Sequence, residues 1–186
     1  MATTGGGLVN DSVVVKVDTI DHPTNPIYSF LAGSGSSGKT WVWGTGNPES
    51  PGHNIWAVGS ENNAPASPSW WGVPNDATAA SQLIDLNGTM KFDLNGGANF
   101  TKVENGVTTK GNFALDTQHK SPLAIGQITF TNTTILRGIS QNDGGIVVYI
   151  FDIMKIDDNE LFLGYPDHNA GESWYWVFKR QGYTFP

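Results

Sequence analysis

The side chains of this sequence best suited to chemistry are tryptophans in a segment rich in glycine and proline. Five of the seven tryptophans lie between Trp41 and Trp71, in the stretch TWVWGTGNPESPGHNIWAVGSENNAPASPSWWGVP. Tryptophan is favourable in irregular surface chain when its flat apolar face has a partner to cover. The pattern therefore predicts a stacking platform for a ring-shaped ligand, and the ligand that we expect is a sugar.

Two adjacent tryptophans are the strongest candidates for this platform. Trp70 and Trp71 cannot both face inward if the loop is extended, and Pro68 and Pro74 on either side stiffen the segment. A stiff loop loses less conformational entropy when a ligand docks. Trp56 is expected to extend the platform, with anchoring of the loop to the core as the alternative.

Sugar hydroxyls also need polar groups held in fixed directions beside the stacking surface. The polar residues next to these tryptophans in sequence that we assign to hydroxyl binding are His53, Asn54, Asn75 and Asp76. Each is also an ordinary residue of exposed loops. Their coincidence with the aromatic residues favours the binding interpretation.

The elements that must position these residues are β-strands. Charged residues make up only 15% of the chain and there are 23 glycines, which is typical of a turn-rich all-β protein. Runs of alternating or β-branched residues bounded by turn residues predict the strands. They cover residues 12–17, 39–43, 89–116 as a meander, 124–130, 146–155, 161–163 and 174–179. Helix is expected to be nearly absent, with one or two turns over residues 77–83.

Two of the predicted strands assign further tryptophans to the core. Alternate residues on a strand share one face, so Trp41 and Trp43 lie together, as do Trp174 and Trp176. We assign Trp41, Trp43 and Trp176 to the core, because each ring buries a large apolar area.

We expect one all-β domain over residues 27–186, an antiparallel jelly-roll-like β-sandwich, with a lipocalin-like barrel as the alternative. Residues 1–26 are expected to be an N-terminal extension or linker, or the tail of a preceding module. Residues 44–88 lack periodicity, and a loop of this length is usually functional or disordered. Its tryptophans favour the functional interpretation, because they give the loop something to bury.

Charge and composition exclude several classes of partner. The net charge is −7, and the ten Lys and Arg residues are scattered, so nucleic acid is not an expected partner. The absence of cysteine excludes disulfides and thiol chemistry, and no apolar stretch is long enough to span a membrane. The spacing of Gly33, Gly38, Lys39 and Thr40 resembles a phosphate-binding loop, but such a loop must open a helix and this one precedes a strand.

The sequence offers no catalytic constellation, and we expect no enzymatic activity. Glu49, Glu61 and Asp76 are the carboxylates nearest the tryptophans, and their spacing does not resemble a glycosidase acid/base pair. A small jelly-roll glycoside hydrolase or lyase remains the enzymatic alternative. No cofactor or catalytic metal is expected. The turns at Asp143 and at residues 157–160 could hold a structural calcium, although ordinary hairpin turns explain them better.

Three segments resemble a known family. The stretch LAGSGSSGKTWVWGTGNPESPGH, with KTWVW and Pro51-Gly52-His53 as its specific part, is followed by SWWGVPND and TMKFDLNGGANF. Together they are similar to the C-terminal β-sandwich modules of Bacteroidetes cell-surface lipoproteins, which follow PKD domains and belong to polysaccharide utilisation loci. The resemblance implies non-catalytic glycan binding, a monomer within a larger multimodular protein, and a location at the cell surface, anchored to the outer membrane or extracellular.

The function that we expect is binding of a polysaccharide through the loop tryptophans. A β-glucan such as laminarin or mixed-linkage glucan is the expected ligand, with Trp70 and Trp71 stacking on its rings. The alternative to glycan binding and catalysis is a lipocalin-like barrel that holds an apolar ligand inside.

Overall fold

The computed structural model describes residues 25–50, 53–60, 71–76, 83–121, 123–166 and 172–186. Within this part the chain forms one short helix, α1 (Pro26–Ala32), and twelve strands. The strands are β1 (Lys39–Trp43), β2 (Asn54–Ser60), β3 (Trp71–Pro74), β4 (Thr89–Asp93), β5 (Asn99–Glu104), β6 (Val107–Asp116), β7 (Gly126–Thr131), β8 (Ile139–Ser140), β9 (Ile146–Val147), β10 (Ile150–Ile156), β11 (Glu160–Pro166) and β12 (Glu172–Arg180).

Eight of these strands close into an antiparallel barrel in the order β1-β4-β5-β6-β7-β10-β11-β12, because β1 pairs with β4 on one side and with β12 on the other. The predicted jelly-roll-like sandwich is therefore wrong, and the lipocalin-like barrel fits the architecture. Strand alternation is the same in both folds. The two differ in pairing between the two ends of the chain, where Trp41 lies opposite Arg180, and local sequence patterns do not report such pairing.

The hairpin signals of the sequence are confirmed in the meander of β4, β5 and β6. Glu104 pairs with Val107, so Asn105 and Gly106 form a two-residue loop. Their φ angles are 51° and 75°, the left-handed conformations that this tight hairpin turn requires.

Inward-facing aromatic residues fill the barrel. Phe130 on β7 contacts Phe100 at 4.7 Å and Phe151 at 5.9 Å between ring centroids, and Phe151 contacts Trp176 at 5.1 Å. The assignment of Trp41, Trp43 and Trp176 to the core is confirmed, since all three are fully buried. A packed interior of this kind supplies the apolar burial that drives folding.

Helix α1 packs at the end of the barrel where β1 begins. The Asn25 side chain accepts a hydrogen bond from the Ile27 amide at 3.0 Å, Pro26 occupies the first turn, and Gly33 ends the helix with φ 77°. Its carbonyl at Leu31 accepts the indole N–H of Trp41 at 2.8 Å. A helix of seven residues is too short for apolar periodicity to predict; of the predicted helix over residues 77–83, all but Leu83 lie outside the described residues.

The opposite end, which we call the barrel mouth, is covered by residues 132–149. Ile135, Leu136 and Val148 are buried there, and β8 pairs with β9 in a small separate hairpin. The Leu136 amide donates to Met90 Sδ at 3.4 Å, which ties this segment to the barrel interior.

Strand β12 carries two partners along one edge. Trp43 on β1 lies opposite Phe178, Gly44 N donates to Val177 O at 2.9 Å, and pairing resumes with Trp56 on β2. Strands β1 and β2 are thus two halves of one interrupted strand, and β3 pairs with β2 beyond the closed ring. Strand β2 was not predicted. The run Ile55-Trp56-Ala57-Val58 is continuously apolar and all four residues are buried, so it lacks the alternation by which the other strands were located.

After Gly44 the chain leaves the sheet, and Asn47 and Glu49 dock on its outer surface. Lys155 Nζ lies 3.0 Å from Glu49 Oε2 and 3.1 Å from Glu160 Oε2, and Asn47 Nδ2 donates to Glu160 Oε2 at 2.9 Å. Burial alone would lower the pKa of Lys155, but its hydrogen bonds and ion pairs with Glu49 and Glu160 outweigh burial and raise that pKa. This network holds Asn47 and Glu49 against β10 and β11.

Candidate functional site at the barrel mouth

Three tryptophans from three neighbouring strands meet beside the barrel mouth and form what we call the tryptophan cluster. Trp56 on β2 stacks on Trp174 on β12 with centroids 4.9 Å apart and ring planes at 25°. Trp71 on β3 makes edge contacts with both, at 5.7 Å to Trp56 and 6.0 Å to Trp174. The pairing of β2 with both β3 and β12 brings these residues together.

Trp71 is the member of this cluster that meets solvent. Its exposed fraction is 45%, whereas Trp56 and Trp174 are each 1% exposed. Two buried indoles therefore hold the position of an exposed one, so its ring is oriented before any ligand arrives.

Arg137 adds a cation to the tryptophan cluster. Its guanidinium carbon lies 5.0 Å from the centroid of the Trp56 ring, a distance at which the ring quadrupole attracts a cation. The φ angle of Arg137 is 49°, a left-handed conformation that is strained for a side chain of this size. Its carbonyl accepts the Trp176 indole N–H at 2.9 Å and its amide donates to Glu104 Oε1 at 2.8 Å. These contacts hold the strained backbone in place.

Three buried nitrogen donors of this cluster have no acceptor among the described residues. They are Nε1 of Trp56, Nε1 of Trp174 and Nε of Arg137. A buried donor that lacks an acceptor costs about 1–3 kcal/mol, so such groups are rare in folded proteins. Their concentration in one cluster marks this place as a candidate for an oxygen-bearing ligand.

A cleft of about 350 Å³ opens at the mouth and includes Arg137 in its wall. Its polar lining includes Asn105, Asn132 and the ion pair of Lys102 with Glu104, whose Nζ and Oε2 are 2.8 Å apart. Its apolar lining includes Tyr149, 42% exposed. A concave surface with an aromatic ring and several convergent polar groups has the character of a small-molecule site.

Of the three tryptophans assigned to the platform, the structure places Trp71 at the surface and Trp56 in the packed interior. Trp70 lies outside the described residues. The ring of Trp56 is covered by Trp174 and Arg137. Trp56 therefore supports Trp71 from the buried side and offers no open face to a ligand. This placement corresponds to the alternative in which Trp56 anchors its segment to the core.

The four polar residues assigned to hydroxyl binding lie together near the ends of β2 and β3, and they differ in what they contact. His53 is exposed with φ 60°, and Asp76 is exposed. Asn54 is partly buried and packs against Gly72. Asn75 Nδ2 donates to Asn47 O at 2.7 Å, so its side chain joins the end of β3 to the segment that follows β1. Their part in ligand binding stays a prediction.

Arg137 and Tyr149 are the site residues that sequence reasoning missed. Tyr149 stands in IVVYIFDIMK, which the sequence predicts as one strand and the structure divides into β9 and β10. The break leaves Tyr149 exposed at the mouth. Arg137 gave no local signal, because its importance comes from contacts with residues distant in sequence.

A serine, a histidine and an aspartate also meet on the outside of the barrel, without the geometry of a catalytic triad. Asp152 lies between the other two, with Oδ1 3.0 Å from His119 Nε2 and Oδ2 accepting from Ser121 Oγ at 3.1 Å. In a triad the histidine must contact the serine hydroxyl to take its proton. This cluster is organised instead around the carboxylate.

The acidic turns considered for calcium have side-chain oxygens that bond amides and hydroxyls of the same turns, and others that bond side chains outside them, such as Asp158 Oδ1 with Lys39 Nζ at 3.3 Å. Asp157 Oδ1 accepts the amides of Asn159 at 2.7 Å and Glu160 at 2.9 Å, and Asp143 Oδ2 accepts from Ser140 Oγ at 2.8 Å. Across the described ranges, no group of three or more His, Asp or Glu side chains is placed to hold a metal ion.

Comparison with protein-family models gives no match for this chain, and comparison with curated proteins gives none either. In the part of the chain that the structure describes, no helix has the length and apolar character needed to cross a bilayer.

Proposed function

We propose that this protein binds a polysaccharide without catalysis, and that Trp71 stacks on a sugar ring at the barrel mouth. The observation that carries the proposal is the exposed indole of Trp71 held by edge contacts with two buried indoles. A flat ring fixed in this way matches the C–H face of a pyranose at little entropic cost. The neutral β-glucans expected from the sequence are the first ligands to test.

The cleft beside the tryptophan cluster supports the same proposal. Asn105 and Asn132 supply amide groups, which both donate and accept hydrogen bonds, and Tyr149 supplies a second exposed ring. A polymer that lies across the mouth would contact Trp71 first and place a neighbouring sugar against the cleft.

The test is affinity electrophoresis through gels that contain laminarin, mixed-linkage glucan, xyloglucan, mannan, xylan or alginate. Wild type is compared with Trp71→Ala and with Leu83→Ala, a control that removes another exposed apolar side chain near the mouth. We expect one polymer to retard wild type and Leu83→Ala, and Trp71→Ala to lose the retardation. Equal retardation of all three proteins would remove Trp71 from the site, and uniform mobility on every polymer would overturn the function.

The closed eight-stranded barrel favours a second candidate, an apolar ligand inside the barrel. Against it, the described interior is occupied by contacting aromatic side chains such as Phe100, Phe130 and Phe151. Titration with a hydrophobic fluorescent probe separates the two functions. Saturable binding of the probe, together with no binding of any polysaccharide, would support the apolar ligand.

A further inference from the structure

We propose that the polysaccharide recognised at this mouth carries an oxyanion on its sugar rings, a carboxylate or a sulfate, and that the Arg137 guanidinium binds it. The inference rests on the proposed function, because it names the class of glycan for that same site. It is carried by a cation that no described carboxylate neutralises and by three buried donors that have no acceptor among the described residues.

The charged residues that line the cleft are Lys102, Glu104 and Arg137. Lys102 Nζ donates to Glu104 Oε2 at 2.8 Å, and Glu104 Oε1 accepts the backbone amide of Arg137 at 2.8 Å. Both oxygens of the one carboxylate in the lining are therefore in use, and Lys102 is already neutralised. In the described part of the chain no carboxylate pairs with the guanidinium of Arg137, so this group leaves the lining with one net positive charge.

A cation whose Nε is buried needs an anion or several acceptors to offset its lost hydration. The face of Trp56 supplies only part of this, since a cation–π contact is worth about 0.5–2 kcal/mol. A guanidinium binds carboxylate or sulfate with parallel N–H donors, which is its strongest mode of recognition. A ligand oxyanion would therefore complete the environment of Arg137.

The neighbouring tryptophans fit the same ligand. Within the described ranges, the buried indole N–H groups of Trp56 and Trp174 have no acceptor, and they belong to the stack on which Arg137 lies. Trp71 packs against that stack from the solvent side. The cluster therefore combines an exposed apolar ring with a guanidinium that no carboxylate of the described residues neutralises, and an acidic sugar has a C–H face for the first and a charged substituent for the second.

The chain as a whole carries a net charge of −7, so it does not attract polyanions non-specifically. Retention of an acidic glycan would accordingly report a local site. For the same reason, a matched neutral polymer is the decisive control.

The experiment measures retardation and fluorescence titration with polygalacturonate and alginate, with the same polymers after reduction of their carboxyl groups, and with a sulfated galactan. The proteins are wild type, Trp71→Ala, Arg137→Lys, Arg137→Gln and Arg180→Gln. Arg180 is an exposed arginine outside the mouth that bonds Asn159, so its variant controls for loss of one charge. Thermal melting establishes that each variant folds.

We expect wild type and Arg180→Gln to bind an acidic polymer at least tenfold more tightly than its reduced form. Arg137→Gln should lose that preference, and Arg137→Lys should lose part of it, because lysine keeps the charge without the paired donors. Preference for polyuronate or for sulfated galactan identifies the oxyanion, and either supports the inference. If the Arg137 variants do not fold, the preference of wild type for the acidic over the reduced polymer still decides.

Equal binding of acidic and reduced polymers by wild type would overturn the claim that the site recognises an oxyanion. If that equal binding were lost in Trp71→Ala, the proposed function would still stand. A preference for acidic polymer that persists in folded Arg137→Gln would overturn the role of Arg137. Failure of all of these polymers to bind would overturn the inference, and binding of a neutral glucan from the first panel would then leave the proposed function standing.

Discussion

Trp43 and Trp56 face the barrel interior as neighbours along β12, opposite Phe178 and Trp176, although the chain leaves the sheet between them. The pairing continues across the gap because Gly44 N donates to Val177 O at 2.9 Å. Strand β12 thus aligns β1 in the barrel wall with β2, which carries Trp56, and the point where the chain leaves the sheet is Gly44.

Gly44→Ala should lower the free energy of unfolding by about 1–3 kcal/mol, the usual cost of overpacking a close contact. A Cβ at this position would stand 2.7 Å from Val177 Cγ1 and 3.1 Å from Val177 O. Urea unfolding at neutral pH measures the effect. Gly35→Ala is the matched control, because its Cβ would meet only Ser37 Oγ at 3.9 Å. Equal unfolding midpoints for the two variants would contradict the close approach.

Phe130→Ala should cost about 3–5 kcal/mol, because it opens a cavity where several rings meet. Phe130 contacts Phe92, Phe100 and Phe151 with centroid distances of 6.0, 4.7 and 5.9 Å. Thr131→Ala, the exposed next residue on β7, should change stability little. A loss below about 1 kcal/mol for Phe130→Ala, measured by thermal or urea unfolding, would mean that the interior relaxes around the missing ring.

Lys155→Met should destabilise the protein at neutral pH by about 1–3 kcal/mol, since it leaves Glu160 without its charged partner. The pKa of Lys155 is raised in the folded state, so its stabilising contribution is complete below the ordinary value of 10.5. That contribution is lost as the pH rises through the folded pKa. The difference in unfolding free energy between wild type and variant should therefore stay level from pH 7 to 10 and shrink at higher pH.

Lys110→Met, at an exposed position on β6, controls for the general effect of removing one charge. Urea unfolding at a series of pH values measures all three proteins. The network would not hold the proton of Lys155 if the difference in unfolding free energy between wild type and Lys155→Met already decreased between pH 7 and pH 10.

Lys179 should show the opposite dependence on pH. Burial lowers its pKa in the folded state, and its Nζ donates to the neutral carbonyl of Thr45 at 2.8 Å. Because the folded protein binds this proton less tightly than the unfolded chain, wild type should gain stability relative to Lys179→Met as the pH rises from the folded pKa to 10.5. Parallel pH profiles for the Lys155 and Lys179 variants would contradict the assignment.

Local patterns predicted most of the strands, because alternation and turn residues act over a few positions. Asn105-Gly106 fixed a two-residue hairpin, and the runs that became β1, β7 and β12 were located within two residues at their ends. The predicted run 161–163 covers only the first part of β11. Closure of the barrel was predicted only as the alternative to a sandwich, because it depends on Trp41 meeting Arg180 from the other end of the described chain. Strand β2 was missed since a strand buried on both faces shows no alternation.

The candidate site likewise has one feature that local sequence predicted and others that only tertiary contacts create. The exposure of one of the two adjacent tryptophans was predicted from their neighbours in sequence, and Trp71 is exposed. Arg137 acquires its position from Glu104 and Trp176, and Tyr149 acquires its exposure from a break between two strands. Such properties come from tertiary contacts, and no residue pattern along the chain expresses them.

The sharing of β12 between two partners has an evolutionary consequence. The pairs that join β1 to β12 run from Trp41 with Arg180 to Trp43 with Phe178, whereas β2 and β3 attach farther along the same strand. Mutations at the exposed positions of β3 can therefore accumulate without opening the ring. Selection can diversify what the mouth recognises while it preserves the barrel, so homologues should differ most where Trp71 stands and least where β1 meets β12.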